Sequence, residues 1–128
     1  MKKLVFALTS LAFLAFGTSV LKAAHHEEDA VTPTSVIHVV TVSWKEDATE
    51  DSIKAALESV VTLAHDYEGI ERVWIKTIKA QGDRTHAFVM EFKSEQALKD
   101  YAGSDAQKKW YESYLPVRSH STTFDITN

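Results

Sequence analysis

The sequence predicts an α+β domain of ferredoxin-like order, β-α-β-β-α-β, and three observations lead there. Residues 36–45 and 85–92 read as strands whose side chains alternate faces. His38, Val40, Val42 and Trp44 share one side of the first, and His86, Phe88, Met90 and Phe92 share one side of the other. Two further stretches repeat apolar residues at offsets of three and four, as amphipathic helices do. Both strands also carry apolar residues on their second side, so two helices covering one sheet face leave another face ill suited to water.

The elements follow in order. Met1-Lys2-Lys3 precedes an almost wholly apolar run from Leu4 to Phe16, then small residues and a charged stretch. That is the layout of a secretory signal peptide, assigned here to residues 1–24, and its apolar run is short for a membrane span. Residues 25–35, with Glu27, Glu28, Asp29 and Pro33, form a polar flexible leader, and the domain occupies 36–128. The first strand, about 36–45, turns into a helix with Thr49 as N-cap and with Glu50 and Asp51 near its positive end. Its apolar stripe is Ile53, Ala56, Leu57, Val60, Val61 and Ala64, and Gly69 ends it. Residues 70–79 form the second strand, with Val73, Ile75 and Thr77 on one side and Trp74, Lys76 and Ile78 on the other. A turn at 80–84 closes a hairpin with the third strand. Ser94 starts a second helix carrying Ala97, Leu98 and Tyr101, which Gly103-Ser104-Asp105 interrupts. A further helical piece with Trp110, Tyr111, Tyr114 and Leu115 runs to Pro116, and a last strand, about 117–126, ends in Phe124 and Ile126.

The chain has 14 basic and 18 acidic residues, and removal of 1–24 leaves 11 against 18, a formal charge of −7. An acidic domain of this kind lacks the electrostatic footprint for nucleic acid or an anionic membrane surface. With no cysteine, an exported chain has no disulfide framework and must be held by packing. The bare sheet face therefore points to a homodimer, each copy shielding the other.

The order and spacing of several short segments resemble the stress-responsive α/β-barrel (Dabb) domain family over residues 36–126. They are Val36-Ile37-His38-Val39-Val40 with Trp44-Lys45, the helix after Thr49-Glu50, Glu68-Gly69-Ile70 and Thr85-His86-Ala87-Phe88. Phe92-Lys93-Ser94-Glu95 leading to Leu98 and Tyr101, and Phe124-Asp125, complete the set. The resemblance implies a dimeric α/β barrel built from two facing sheets, in some members with a cavity between sheet and helices. Most members have no assigned reaction. More distantly similar are polyketide cyclases of the olivetolic acid cyclase type, in which a tyrosine and a histidine near the second helix promote an aldol-type ring closure. Tyr101 stands at the tyrosine's position. The histidine motif reads Ser104-Asp105-Ala106-Gln107 here, and an amide such as Gln107 does not take up a proton near neutral pH.

The candidate catalytic residues are accordingly His86, His38 and Tyr101, and the candidate ligand-binding residues are Val40, Trp74, Phe88 and Trp110. Neighbouring imidazoles at the mouth of an apolar cavity could bind a carbonyl, shuttle a proton or hold a metal; alternatively each satisfies a buried polar partner. No third ligand at matching spacing supports a metal, and no cofactor is expected. Tyr111 and Tyr114 could extend an aromatic wall or simply pack the core. His25-His26 would offer copper(II) a square-planar site only after a cut behind Lys22, which signal-peptide rules disfavour. The expected function is an exported homodimer that binds a small apolar ligand. The alternative is a cofactor-free cyclase, isomerase or monooxygenase acting on a small carbonyl compound, and a third reading is a dimer whose interior is filled by its own side chains.

Overall fold

The computed structural model describes residues 32–128. The expected signal peptide, most of the leader and the His25-His26 pair lie outside the described residues. The elements are β1 (Val36–Trp44), α1 (Glu50–Asp66), β2 (Ile70–Trp74), β3 (His86–Phe92), α2 (Glu95–Tyr101), α3 (Asp105–Tyr114) and β4 (Arg118–Ile126). The strands form one sheet in the order β2-β3-β1-β4, with every neighbouring pair antiparallel. This is the ferredoxin-like α+β fold.

Local chemistry sets the helix starts. The side chain of Thr49 accepts a hydrogen bond from Ser52 N at 3.2 Å, Ser94 from Ala97 N at 3.1 Å and Ser104 from Gln107 N at 3.2 Å. Each satisfies a backbone donor that the first turn leaves free. An acidic residue follows every cap, and His65 lies in the last turn of α1, both favourable with the helix dipole. After α1 the chain passes close under another element at Gly69. A Cβ there would lie 2.4 Å from the Tyr67 ring and 3.1 Å from Ala97, so only glycine fits.

The core lies between the sheet and the helices. Val36, Val40 and Val42 of β1, Phe88, Met90 and Phe92 of β3, and Val60 and Leu63 of α1 are all buried. Full burial of such side chains is worth roughly 1.5–3 kcal/mol each, enough for a domain without disulfides. The expected α1 stripe is corrected at one end: Leu63 is buried and Val61 lies at the exposed rim. The stripe runs 56, 60, 63, which follows the 3.6-residue turn more closely.

Even-numbered positions of β1 and β3 therefore face the helices, and odd-numbered ones face away. Val40 and Phe88 are core residues of the single subunit, so a charge at either attacks that core; Val39 and Val89 are the positions that report on a sheet-to-sheet contact. The open face carries Ile37, Val39 and Val89, with Trp74, Phe124 and Ile126 at 49%, 57% and 57% exposure. It also carries a buried carboxylate, Glu91, held by Arg72 through two guanidinium nitrogens and by the Ser35 hydroxyl at 2.8 Å.

The second strand is shorter than its alternation predicts. Pairing with β3 stops at Trp74, because Thr77 Oγ1 donates to Ala87 O at 3.0 Å and accepts from Ala87 N at 2.8 Å. A side chain has taken both backbone groups that a longer ladder would use. Residues 75–85 become a loop in which Ile78 is 95% exposed.

Candidate functional site

The two histidines that open the strand patterns do not meet. β1 and β3 run antiparallel, so His38 pairs across from Met90 while His86 pairs across from Val42. Four residues of strand separate them, about 13 Å at the usual rise. The expectation of neighbouring imidazoles is corrected: they share a sheet face and occupy its opposite ends.

Each end has its own arrangement. At the His86 end, the indole N–H of Trp44 donates to His86 Nδ1 at 2.9 Å, and Thr85 Oγ1 lies 3.1 Å from the same nitrogen. The Trp44 and His86 rings meet edge-on at 5.7 Å. His86 also borders an open cleft against α1, shared with Ile53, Leu57 and Ile75. At the His38 end, Nδ1 pairs with Asp125 Oδ1 of β4 at 2.5 Å. The imidazole packs edge-on against Phe92 and Tyr101, with centroids at 5.7 and 6.4 Å.

A cavity of about 180 Å³ opens beside His38, between β1, β4 and the α2–α3 segment. Val40, Tyr101, Gln107, Trp110 and Tyr111 line it, with Tyr114, Leu115, Arg118, Ser121 and Thr123 completing its walls. The Trp110 and Tyr114 rings stack on one another at 4.5 Å and 12°. The turn that presents α3 depends on Gly103, whose φ of 79° is left-handed and unstrained only for glycine. Gly103 N donates to Gln107 Oε1 at 2.7 Å. That bond occupies the carboxamide's acceptor and leaves its NH2 as the free end.

Among the described residues, four buried polar side-chain atoms have no hydrogen-bond partner, and all belong to residues lining this cavity: Tyr101 Oη, Trp110 Nε1, Tyr114 Oη and Arg118 Nε. Tyr101, Trp110 and Tyr114 are only 2%, 6% and 3% exposed. Buried polar groups are normally satisfied, and an orphan costs about 1–3 kcal/mol. Burial also pushes both phenol pKa values up, so Tyr101 and Tyr114 keep their protons at neutral pH. Gln107 approaches Tyr101, and Ser121 with Arg118 approaches Tyr114; these neighbours temper the rise without completing a hydrogen bond. Arg118 Nη1 donates to Ser121 Oγ at 2.9 Å, and its guanidinium lies 5.8 Å from the Tyr114 ring centre.

Of the seven candidates named from the sequence, His38, Val40, Tyr101 and Trp110 line the cavity. Phe88 supports it from behind, edge-on to Trp110 and Tyr114 at 5.8 Å. His86 lies at the far end. Trp74 is corrected: pairing with Val89 puts it on the open face, under the Arg72 guanidinium at 5.7 Å, with the whole sheet between it and the cavity. Sequence reasoning gave no role to Arg118 and Asp125. The alternation of β4 holds their signal: Ser121, Thr123 and Asp125 share the parity that pairs with Val42, Val40 and His38 on the helix-facing side. Among the described residues, no helix is long and apolar enough to cross a membrane.

A family model described as Stress responsive A/B Barrel Domain matches residues 36–128. Among curated proteins none matches the chain. Solved structures of the same fold include a hydroxynitrile lyase from Passiflora edulis, at TM-score 0.67 and 15% identity, spanning 75% of this chain and 94% of that one. A dimeric ferredoxin-like protein of unknown function from Bacteroides fragilis superposes at 0.61 and 14% identity, over 77% and 100% of the two chains. A cofactor-independent oxygenase from Streptomyces nogalater gives 0.58 at 10% identity, over 74% and 93%. At such identities the likeness speaks of fold.

Proposed function

The chain belongs to the stress responsive A/B barrel domain family, and from that premise we propose that it is an exported homodimer binding a small organic molecule in the cavity beside His38. One observation carries the reading: four orphaned polar atoms, among the described residues, all belong to side chains that line a single cavity. A domain that only filled its interior would place apolar atoms there, because unpaired polar ones lower its stability. A ligand restores the missing bonds.

The dimer rests on the open face. Ile37, Val39, Val89, Phe124 and Ile126 make a contiguous apolar surface of the kind that a second sheet covers. The dimeric Bacteroides fragilis protein of the same fold supports this arrangement. Export rests on the layout of residues 1–24.

A second reading has its own observation. Asp125 holds His38 by Nδ1 at the cavity wall, which orients an imidazole for proton transfer through its other nitrogen. With Tyr101 and Tyr114 as neutral donors, the site could take a proton beside a carbonyl and stabilise the resulting enolate. The lyase and the oxygenase that share the fold lend this reading support. On it His38 is the base, and Gln107 and His86 have no part in proton transfer.

Native mass spectrometry of the protein purified from its own source tests the main reading. The expected spectrum is a dimer of chains shortened by about 24 residues, retaining a small molecule that a cavity-filling Ser121→Phe variant lacks. A monomer, or equal retention by Ser121→Phe, contradicts it. Val89→Asp supplies the control, as a folded subunit that no longer dimerises.

A further inference from the structure

The cavity is lined by a guanidinium that no carboxylate meets among the described residues, and that describes what it takes. Trp110 Nε1 and Arg118 Nε can only donate hydrogen bonds. Tyr101 and Tyr114 are protonated at neutral pH, and the free end of Gln107 is its NH2, since Oε1 is engaged by Gly103 N. These donors stand beside the Ser121 and Thr123 hydroxyls, which can also accept, while Asp125, turned to the His38 imidazole, is not among the residues lining the cavity. Among the described residues Arg118 has no carboxylate partner; its contacts are the Ser121 hydroxyl and the Tyr114 ring. An unpaired guanidinium with one nitrogen buried is costly unless an anion meets it.

Resting on the ligand-binding reading above, we infer that the natural ligand is an anion, a small carboxylate. Its charged oxygens lie at the Arg118 end, and its body lies toward the aromatic side chains of α3. The small size follows from the cavity's volume of about 180 Å³. The expectation of an apolar ligand changes accordingly. The walls are aromatic, but the recognition is of an acceptor.

The chain's own charge adds specificity rather than affinity. With 18 acidic against 14 basic residues, the chain repels anions at long range, so recognition has to be made at contact by Arg118 and is sensitive to salt only at that pair.

Benzoate and benzamide are nearly the same shape and differ in charge, so isothermal titration calorimetry of the intact dimer with each separates the possibilities. Benzoate is expected to bind at least about tenfold more tightly than benzamide, since charge-assisted hydrogen bonds are roughly twice as strong as neutral ones. Arg118→Gln is expected to remove that preference. Equal binding of the two probes overturns the anion inference while the cavity remains a ligand site. Failure of both probes to bind overturns the inference together with the reading beneath it.

Discussion

Two ends of one sheet face begin with the same pattern and reach different states. At one, His86 accepts from the Trp44 indole and borders an open cleft. At the other, His38 is held by Asp125 beside a cavity whose lining side chains carry four orphaned polar atoms. The two histidines stand near the start of their strands, so the local sequence does not distinguish them. The antiparallel pairing does: it sends the two strand starts to opposite edges, where they meet different neighbours. β4 makes the larger difference, since it pairs with β1 alone and brings Asp125, Thr123, Ser121 and Arg118 to one side of it.

The comparison breaks most visibly through the two histidines themselves. His38→Ala is expected to weaken benzoate binding about tenfold or more in calorimetry, through the lost wall contact and the loss of a polar partner at the cavity. His86→Ala is expected to leave binding unchanged and to lower stability by about 1 kcal/mol, the net worth of one hydrogen bond, in a denaturant titration. If the effects come out reversed, the ligand site lies at the other end.

A smaller effect belongs to the His38 end on the opposite face. Glu91 pairs across from Ile37, and the Arg72 hydrogen bonds, seconded by Ser35, hold its carboxyl below the ordinary range against the opposing effect of burial. A carboxyl with a lowered folded-state pKa stabilises the fold above its unfolded value, about 4.3, and the benefit is lost as pH falls through the folded value. Stability measured from pH 5 downward should therefore fall less steeply in Glu91→Gln than in the unaltered chain. Identical slopes would mean that the carboxylate is not tied to Arg72. Because Arg72 is largely exposed, solvent screening keeps this effect modest.

Much of the fold was legible because it depends on alternation, caps and turns that sit within a few residues of one another. Thr49, Ser94 and Ser104 announce the helices, and residues 36–44 and 86–92 announce the central strands. β2 was overestimated because its end is decided by Thr77 bonding to Ala87, a contact across a loop. The cavity was legible on the β1 and α3 sides, through His38, Val40, Tyr101 and Trp110. It was not legible on β4, where Phe124 and Ile126 suggest the buried side of an ordinary strand. In the structure those two residues face outward, and the polar positions 121, 123 and 125 face the helices. An edge strand that turns its apolar side away from its own core suits both halves of the proposal: an apolar surface for a second sheet and a polar wall for a ligand. Only the register with β1 reveals that inversion. Trp74 was misassigned for the same reason, as parity alone does not say which side of a strand the helices will cover.

The three tryptophans of the chain report on its three regions: Trp110 on the cavity, Trp44 on the His86 end and Trp74 on the open face. Their indole N–H resonances in a 1H–15N spectrum, followed during benzoate titration, test the central claim most directly. The account predicts that Trp110 shifts as its orphaned N–H gains an acceptor, while Trp44 and Trp74 stay in place. Movement of Trp44 with Trp110 unchanged would contradict it.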